Sequence, residues 1–159
     1  VVFAHYIASW LAAKVSIVWV LEREWKGRSR GQLLLSLCYV LGKKGVPRNL
    51  QEAIKWRRKA AEQGHAEAQF FLGEAYFTGE GVPKDPREAA KWYRKAADQG
   101  HATAQYNLGV LYVRGERVPK APREAVKWYR RAAEQGNAKA QNTLGDAYSS
   151  ATAVPKDPR

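Results

Sequence analysis

Apolar and small residues recur along this chain at helical spacing, and the helical pattern itself returns every 36 residues. The segment AAEQGHAEAQFFLGEAYFTGEGVPKDPREAAKWYRK from Ala60 is followed at once by AADQGHATAQYNLGVLYVRGERVPKAPREAVKWYRR from Ala96, with two-thirds of positions identical. Single residue types carry the period outward. Leu35, Leu72, Leu108 and Leu144 form one ladder, and Tyr39, Tyr76, Tyr112 and Tyr148 another. Gln32, Gln69, Gln105 and Gln141 make a third, Gly27, Gly64, Gly100 and Gly136 a fourth, and Pro47, Pro83, Pro119 and Pro155 a fifth. The first unit holds one extra residue between Tyr39 and Val46, in a loop, where an insertion costs little. Trp19, Trp56, Trp92 and Trp128 keep the same register, so KVSIVWVLEREWKG reads as one more degenerate helix. A chain repeating at this period stacks units instead of enclosing one unique pocket.

Each unit is punctuated as two antiparallel helices, A then B. Asp85, Pro86, Arg87 and Glu88 read as an N-cap, a proline in the first turn and an acidic residue three after the cap. A B helix therefore starts at 86 and ends before Gly100, which suits the left-handed turn past a helix C-terminus. An A helix follows from about His101 to Arg114 and stops at Gly115, as its predecessor stops at Gly79. The same signals predict helices over 28–41, 50–62 and 137–149.

Comparison of the units divides each A helix lengthwise. Positions 66, 68, 69, 72, 73 and 76 are invariant and share one half of the helix circumference. Positions 67, 70, 71, 74, 77 and 78 vary and occupy the other half. The invariant half is expected to pack, with Leu72 and Tyr76 filling space between helices. Gly73, recurring at Gly109 and Gly145, predicts a helix crossing too close for a side chain, because a mid-helix glycine otherwise costs about 1 kcal/mol. On the B helix, Arg87, Lys91, Arg94 and Lys95 fall on one stripe, and Trp92 and Tyr93 point away from it.

The pattern A-x-A-Q-x-x-L-G-x-x-Y, then G-x-G-V-P-K-D, then A-x-K-W-Y-R-K-A-A, closely resembles the Sel-1-like repeat, a relative of the tetratricopeptide repeat, over residues 27 to 159. The resemblance implies an all-α, right-handed α/α superhelix that acts as an adaptor, holding a protein partner on its concave surface. In bacteria, members of this family are often linked to secretion, envelope regulation or host contact. Several positions depart from the pattern: Ala121 replaces the capping Asp85, Arg117 replaces Gly81, and Ala151 and Ala153 stand where glycines are expected. The chain has no methionine and finishes on Asp157, Pro158 and Arg159, a B-helix start signal, so it reads as a fragment whose last unit frays or self-associates.

Charge is uneven. Of the formal +12, residues 1–59 hold +9, residues 60–95 hold −1, residues 96–131 hold +4 and residues 132–159 are neutral. Residues 1–21 are long enough to cross a bilayer but carry His5 and Lys14, and they show neither a basic start nor a clear cleavage site. A repeat helix and a membrane anchor both remain open for them. The single cysteine excludes an intramolecular disulfide and favours a reducing compartment, so a cytoplasmic location is preferred over a periplasmic or membrane-anchored one.

The candidates for chemistry have plainer readings. His65 and His101 recur, but each opens an A helix where other units place Arg28 and Asn137, so a polar helix start accounts for them without a metal. Cys38 aligns with Ala75, Leu111 and Ala147 and reads as a small buried apolar residue. Gly79, Glu80 and Gly81 lack the strand and the Gly-Lys-Ser/Thr of a phosphate loop. No cofactor site and no nucleophile–base pair is visible, which argues against an enzyme.

The units therefore divide as a divergent segment 1–26, a divergent repeat 27–59, repeats 60–95 and 96–131, and an A-helix remnant 132–159. The expected partner surface is the variable half of the A helices: Glu67, Phe70, Phe71 and Glu74, then Thr103, Tyr106, Asn107 and Val110, then Lys139, Asn142, Thr143 and Asp146. Phe70, Phe71 and Tyr106 are expected as exposed anchors, with packing against the neighbouring unit's helix the alternative for them, for Phe71 above all. A second reading places an anionic partner, whether nucleic acid, lipid head group or acidic protein, on the basic B-helix stripes Arg57, Arg58, Lys59, Arg87, Lys91, Arg94 and Lys95. The aromatic residues beside those stripes point inward, which disfavours base stacking.

Overall fold

The computed structural model describes residues 27–43, 46–115 and 118–149. They form α1 (Ser29–Leu41), α2 (Leu50–Glu62), α3 (Ala66–Thr78), α4 (Pro86–Asp98), α5 (Ala102–Arg114), α6 (Pro122–Glu134) and α7 (Ala138–Ser149), with no strand among the described residues. Odd-numbered helices are the A helices and even-numbered ones the B helices. Each helix packs on its neighbours in sequence, so the chain is a one-dimensional stack of hairpins, an all-α repeat superhelix. The degenerate helix around Trp19, Arg117, the altered glycine positions 151 and 153, and the helix-start signal at Asp157 lie outside the described residues.

Local chemistry sets the helix ends. Asp85 Oδ1 accepts hydrogen bonds from the backbone N–H groups of Arg87 at 2.9 Å and Glu88 at 3.4 Å. Asn49 does the same for Gln51 and Glu52, both at 3.1 Å. Ala121 has no side chain to offer, and the start of α6 goes without this cap. The loop before each B helix is closed by one recurring bond from the residue at the cap to the ladder tyrosine: Asp85 N–H to Tyr76 O at 2.8 Å, Ala121 N–H to Tyr112 O at 3.0 Å and Asn49 N–H to Tyr39 O at 2.9 Å. The first unit makes this bond across one more residue than the others, so its insertion is absorbed before Asn49. Gly100, at φ 88°, turns the chain out of α4, and the His101 N–H returns to Ala96 O at 3.1 Å.

The core is a ribbon. Leu35, Leu72 and Leu108 are fully excluded from solvent, Trp92 and Trp128 pack with Ala60 and Ala96 of the preceding hairpins, and Trp56 is buried within its own hairpin. Cys38 is buried as a free thiol among Leu35, Tyr39 and Trp56. Gly73 and Gly109 make the close crossings their recurrence predicts. A Cβ on Gly73 would lie 2.6 Å from the Tyr93 ring, and one on Gly109 would lie 2.5 Å from the ring of Tyr129. At the equivalent positions of the first hairpin stand Ser36 and Arg57, so the side chain returns where the ring is gone. Gly145 differs from the expectation: among the described residues nothing lies within 4 Å of its Cβ position.

The ladder glutamines join the hairpins. Gln69 Nε2 donates to Ala61 O, at the end of the preceding B helix, at 3.0 Å, and its Oε1 accepts from Gln99 Nε2, at the C-cap of the following one, at 2.7 Å. Gln105 repeats this with Ala97 O at 3.1 Å and Gln135 at 2.7 Å. Gln141 donates to Ala133 O at 3.1 Å, and Gln32 accepts from Gln63 at 3.1 Å. Gln69 and Gln105 are buried, so each replaces water it has lost with contacts to two helices.

Three substitutions test this packing and capping. Gly73→Ala is expected to destabilise the chain by about 1–3 kcal/mol through overlap with Tyr93, whereas Gly145→Ala should stabilise it by up to about 1 kcal/mol, both read from urea midpoints. Ala121→Asp should restore the missing cap and raise stability by about 0.5–2 kcal/mol, seen as a shift of the thermal midpoint.

Candidate functional site

Parts of the variable halves of α3, α5 and α7 come together on one side of the stack. There they enclose a depression of about 340 Å³, lined by Phe70, Glu74 and Phe77 of α3, Tyr93 of α4, Thr103, Tyr106, Asn107, Val110 and Arg114 of α5, and Lys139 of α7. Phe70, Glu74 and Phe77 share a stripe at helical spacing, which is why they line it as one wall. Seven of the residues expected on the partner surface meet here: Phe70, Glu74, Thr103, Tyr106, Asn107, Val110 and Lys139. Glu67 is exposed at the start of α3, outside the depression. On α7, Asn142 and Asp146 are exposed, and Thr143 donates its hydroxyl to Lys139 O at 2.8 Å.

Three aromatic side chains are placed differently from the expectation of exposed anchors. Phe71 turns toward the preceding hairpin and packs on the cluster that contains Leu33 and Leu72. The Arg57 guanidinium lies 5.3 Å from its ring centroid, and Arg57 Nη1 donates to Phe71 O at 3.3 Å. Phe70 is half-buried, stacked on the His101 imidazole at 4.5 Å and tilted against Tyr93 at 6.1 Å. Tyr106 is half-buried against Tyr129 at 5.6 Å. In both cases the cause is the B-helix tyrosine behind the ring, whose position a count of variable residues does not reveal.

Phe77, Tyr93 and Arg114 were not among the expected residues. Phe77 belongs to the variable half, and Arg114 ends α5 one turn beyond Val110, so their spacing already pointed to this wall. Tyr93 recurs as Tyr129 and reads as packing, yet its hydroxyl reaches the depression and donates to Glu74 Oε1. Asn107 Nδ2 donates to the same oxygen at 2.8 Å. Burial, then its hydrogen bond to Glu74 and the charge of Glu74, push the Tyr93 hydroxyl well above the ordinary tyrosine range, with Asn107 opposing. Tyr129 is pushed up to about 12, mainly by burial and then by Tyr106, with Arg114 opposing.

The B-helix cations are largely engaged within the chain. Arg57, expected on the outer stripe, is buried instead. Arg58 donates to the Tyr76 hydroxyl and Arg94 to that of Tyr112. Lys59 and Lys95 each sit 4.3 Å from a tryptophan ring centroid, those of Trp56 and Trp92, and Lys91 pairs with Glu88 at 3.2 Å. Arg87 is exposed at the start of α4. The stripe is thus in good part a sheath over the indoles.

His65 and His101 stand at helix starts. His101 Nδ1 accepts from the Ala104 N–H at 3.2 Å, as Asn137 Oδ1 does from Ala140 at 3.0 Å; His65 makes no such cap. Among the described residues no cluster of three or more His, Cys, Asp or Glu is placed to hold a metal, and no helix is long and apolar enough to cross a membrane.

A stack of hairpins with its unit-to-unit variation gathered along one wall defines an α-solenoid repeat protein. The Sel1 repeat pattern matches residues 29–65, 66–101, 102–137 and 138–159, and the chain belongs to the Sel1 repeat family. It is similar to c5321, a protective antigen of uropathogenic Escherichia coli with an SLR fold, at 42% identity and a TM-score of 0.82, over 88% of this chain and 30% of that one. A Sel1 repeat protein from Oxalobacter formigenes shares 46% identity with a TM-score of 0.75, over 82% of this chain and 53% of the other. Helicobacter pylori cysteine rich protein B shares 26% identity with a TM-score of 0.64, over 82% of this chain and 96% of that one. The chain thus spans about a third and about half the length of the first two. No curated protein matches it.

Burial holds the His101 pKa below its ordinary 6.5, against smaller opposing effects from its own backbone and Glu67. The folded state therefore binds a proton less readily than the unfolded one, so the contribution of neutral His101 is complete above pH 6.5 and is lost as the pH falls through the lower folded value. Protonation takes Nδ1 from the Ala104 N–H and places charge at a helix N-terminus. NMR titration should show His101 titrating at lower pH than a free histidine, with the Ala104 amide shifting in step.

Proposed function

We propose that this chain is a non-enzymatic scaffold that binds a protein partner along the depression formed by α3, α5 and α7. Sel1 repeat proteins are generally protein-interaction scaffolds of non-catalytic type, and this chain shares their repeat and fold. The observation that carries the site is the coincidence of sequence variation with concavity: residues differing from unit to unit line the depression, while those making the stack are repeated. Half-buried Phe70 and Tyr106 offer rigid aromatic area already fixed by Tyr93 and Tyr129, which lowers the ordering cost of binding. The partner surface comprises this wall with Glu67, Asn142, Thr143 and Asp146 at its margins; Phe71 serves the stack. On the B-helix stripes, cations held by tyrosine hydroxyls, indole faces and Glu88 have less to offer an anionic partner.

The test compares two variants. Tyr106→Ala with Lys139→Glu should lose retained partner proteins in affinity capture while circular dichroism stays close to that of the parent chain. Arg87→Glu with Lys91→Glu, on the outer stripe, should retain them. The reverse outcome would move the binding surface to the B helices.

A further inference from the structure

We infer that the depression recognises an isolated basic side chain, a lysine or arginine, presented by an extended segment of the partner protein. This deepens the reading above and rests on it. Glu74 stands in the middle of the α3 wall with Phe70 one turn before it and Phe77 one turn after. One of its oxygens, Oε1, is held by both the Tyr93 hydroxyl and Asn107 Nδ2. Those two donors come from α4 and α5, so the carboxylate is fixed by elements on both sides of the depression.

Neither donor carries a positive charge, and among the described residues Glu74 has no lysine or arginine partner, whereas Glu52, Glu88 and Glu124 on the B helices pair with Lys55, Lys91 and Lys127. Most other cations near an aromatic face in this chain belong to the B-helix sheath. Glu74 is the converse: a carboxylate fixed by neutral donors and walled by aromatic rings. A carboxylate in such surroundings favours a partner cation twice over, through a charge-assisted hydrogen bond to the remaining oxygen and through attraction to the ring faces. Phe77 shows the second effect, since the Lys84 ammonium already lies 5.9 Å from its centroid.

Other units place Leu37, Val110 and Asp146 at the Glu74 position, and Phe71 and Thr143 at that of Asn107. The arrangement therefore belongs to a single step of the superhelix and sets a fixed register for the bound segment. Arg114 and Lys139 stand on the same lining and repel a run of basic residues, so the site distinguishes one cation from a polybasic stretch.

The 159-residue chain is exposed to a displayed library of random linear peptides. Selected sequences should share one lysine or arginine at a constant position, without basic neighbours. Glu74→Gln keeps an oxygen for Tyr93 and Asn107 and removes the charge; it should abolish that preference and weaken the best selected peptide about tenfold or more in fluorescence anisotropy. Glu74→Lys should select an acidic residue in its place, and circular dichroism of both variants should match the parent. Selection without a fixed basic position, or equal affinity for that peptide after Glu74→Gln, overturns this inference and leaves the groove reading standing. Failure to enrich any peptide above the Tyr106→Ala, Lys139→Glu control overturns both.

Discussion

The stack depends on a glutamine that has nowhere else to place its amide. Gln69 and Gln105 are buried, and each bonds backward to the carbonyl end of one B helix and accepts from the cap of the next. A buried amide left unpaired would cost about 1–3 kcal/mol, so the pairing holds only if successive hairpins keep one separation and one rotation. Leucine and tryptophan supply the apolar area, but area is tolerant of sliding. The glutamines remove that tolerance and make the pitch uniform, and a uniform pitch brings α3, α5 and α7 to one side with their unlike residues aligned.

The residues that make the stack and those proposed to meet a partner occupy opposite halves of the same helix. Leu72, Gly73 and Gln69 face the stack; Phe70, Glu74 and Phe77 face the depression. The division is not complete, because Tyr93 belongs to both. Its ring fills the space above Gly73, and its hydroxyl holds Glu74. The wall proposed as the partner surface is stiffened by the core without any residue added for the purpose.

Much of this was legible in the sequence. Caps and glycines placed six of the seven described helices, α6 following from the repeat alone because Ala121 offers no cap, and the recurrence of Gly73 and Gly109 announced close crossings that the rings of Tyr93 and Tyr129 fill. Caps act locally and ladders report packing, so both survive without coordinates. The candidate wall was legible only in part. Variation selects Phe70 and Phe71 alike, yet 100° of rotation sends one to the depression and the other to the preceding hairpin. Nor did spacing reveal that Arg57 would be buried under Phe71, since its basic neighbours Arg58 and Lys59 stay on the outer side. The Glu74, Tyr93 and Asn107 cluster joins three helices and two units, and no single-unit pattern contains it.

The exchange of Gly73 and Tyr93 for Ser36 and Arg57 limits how such arrays diversify. Both members of the pair lie within one hairpin, so recombination between hairpins keeps them matched. A join inside a hairpin that set α1 before α4 would drive the Ser36 side chain into the Tyr93 ring. Gene rearrangement in this lineage is thus expected to cut in the turns after the B helices, making the whole hairpin the inherited unit.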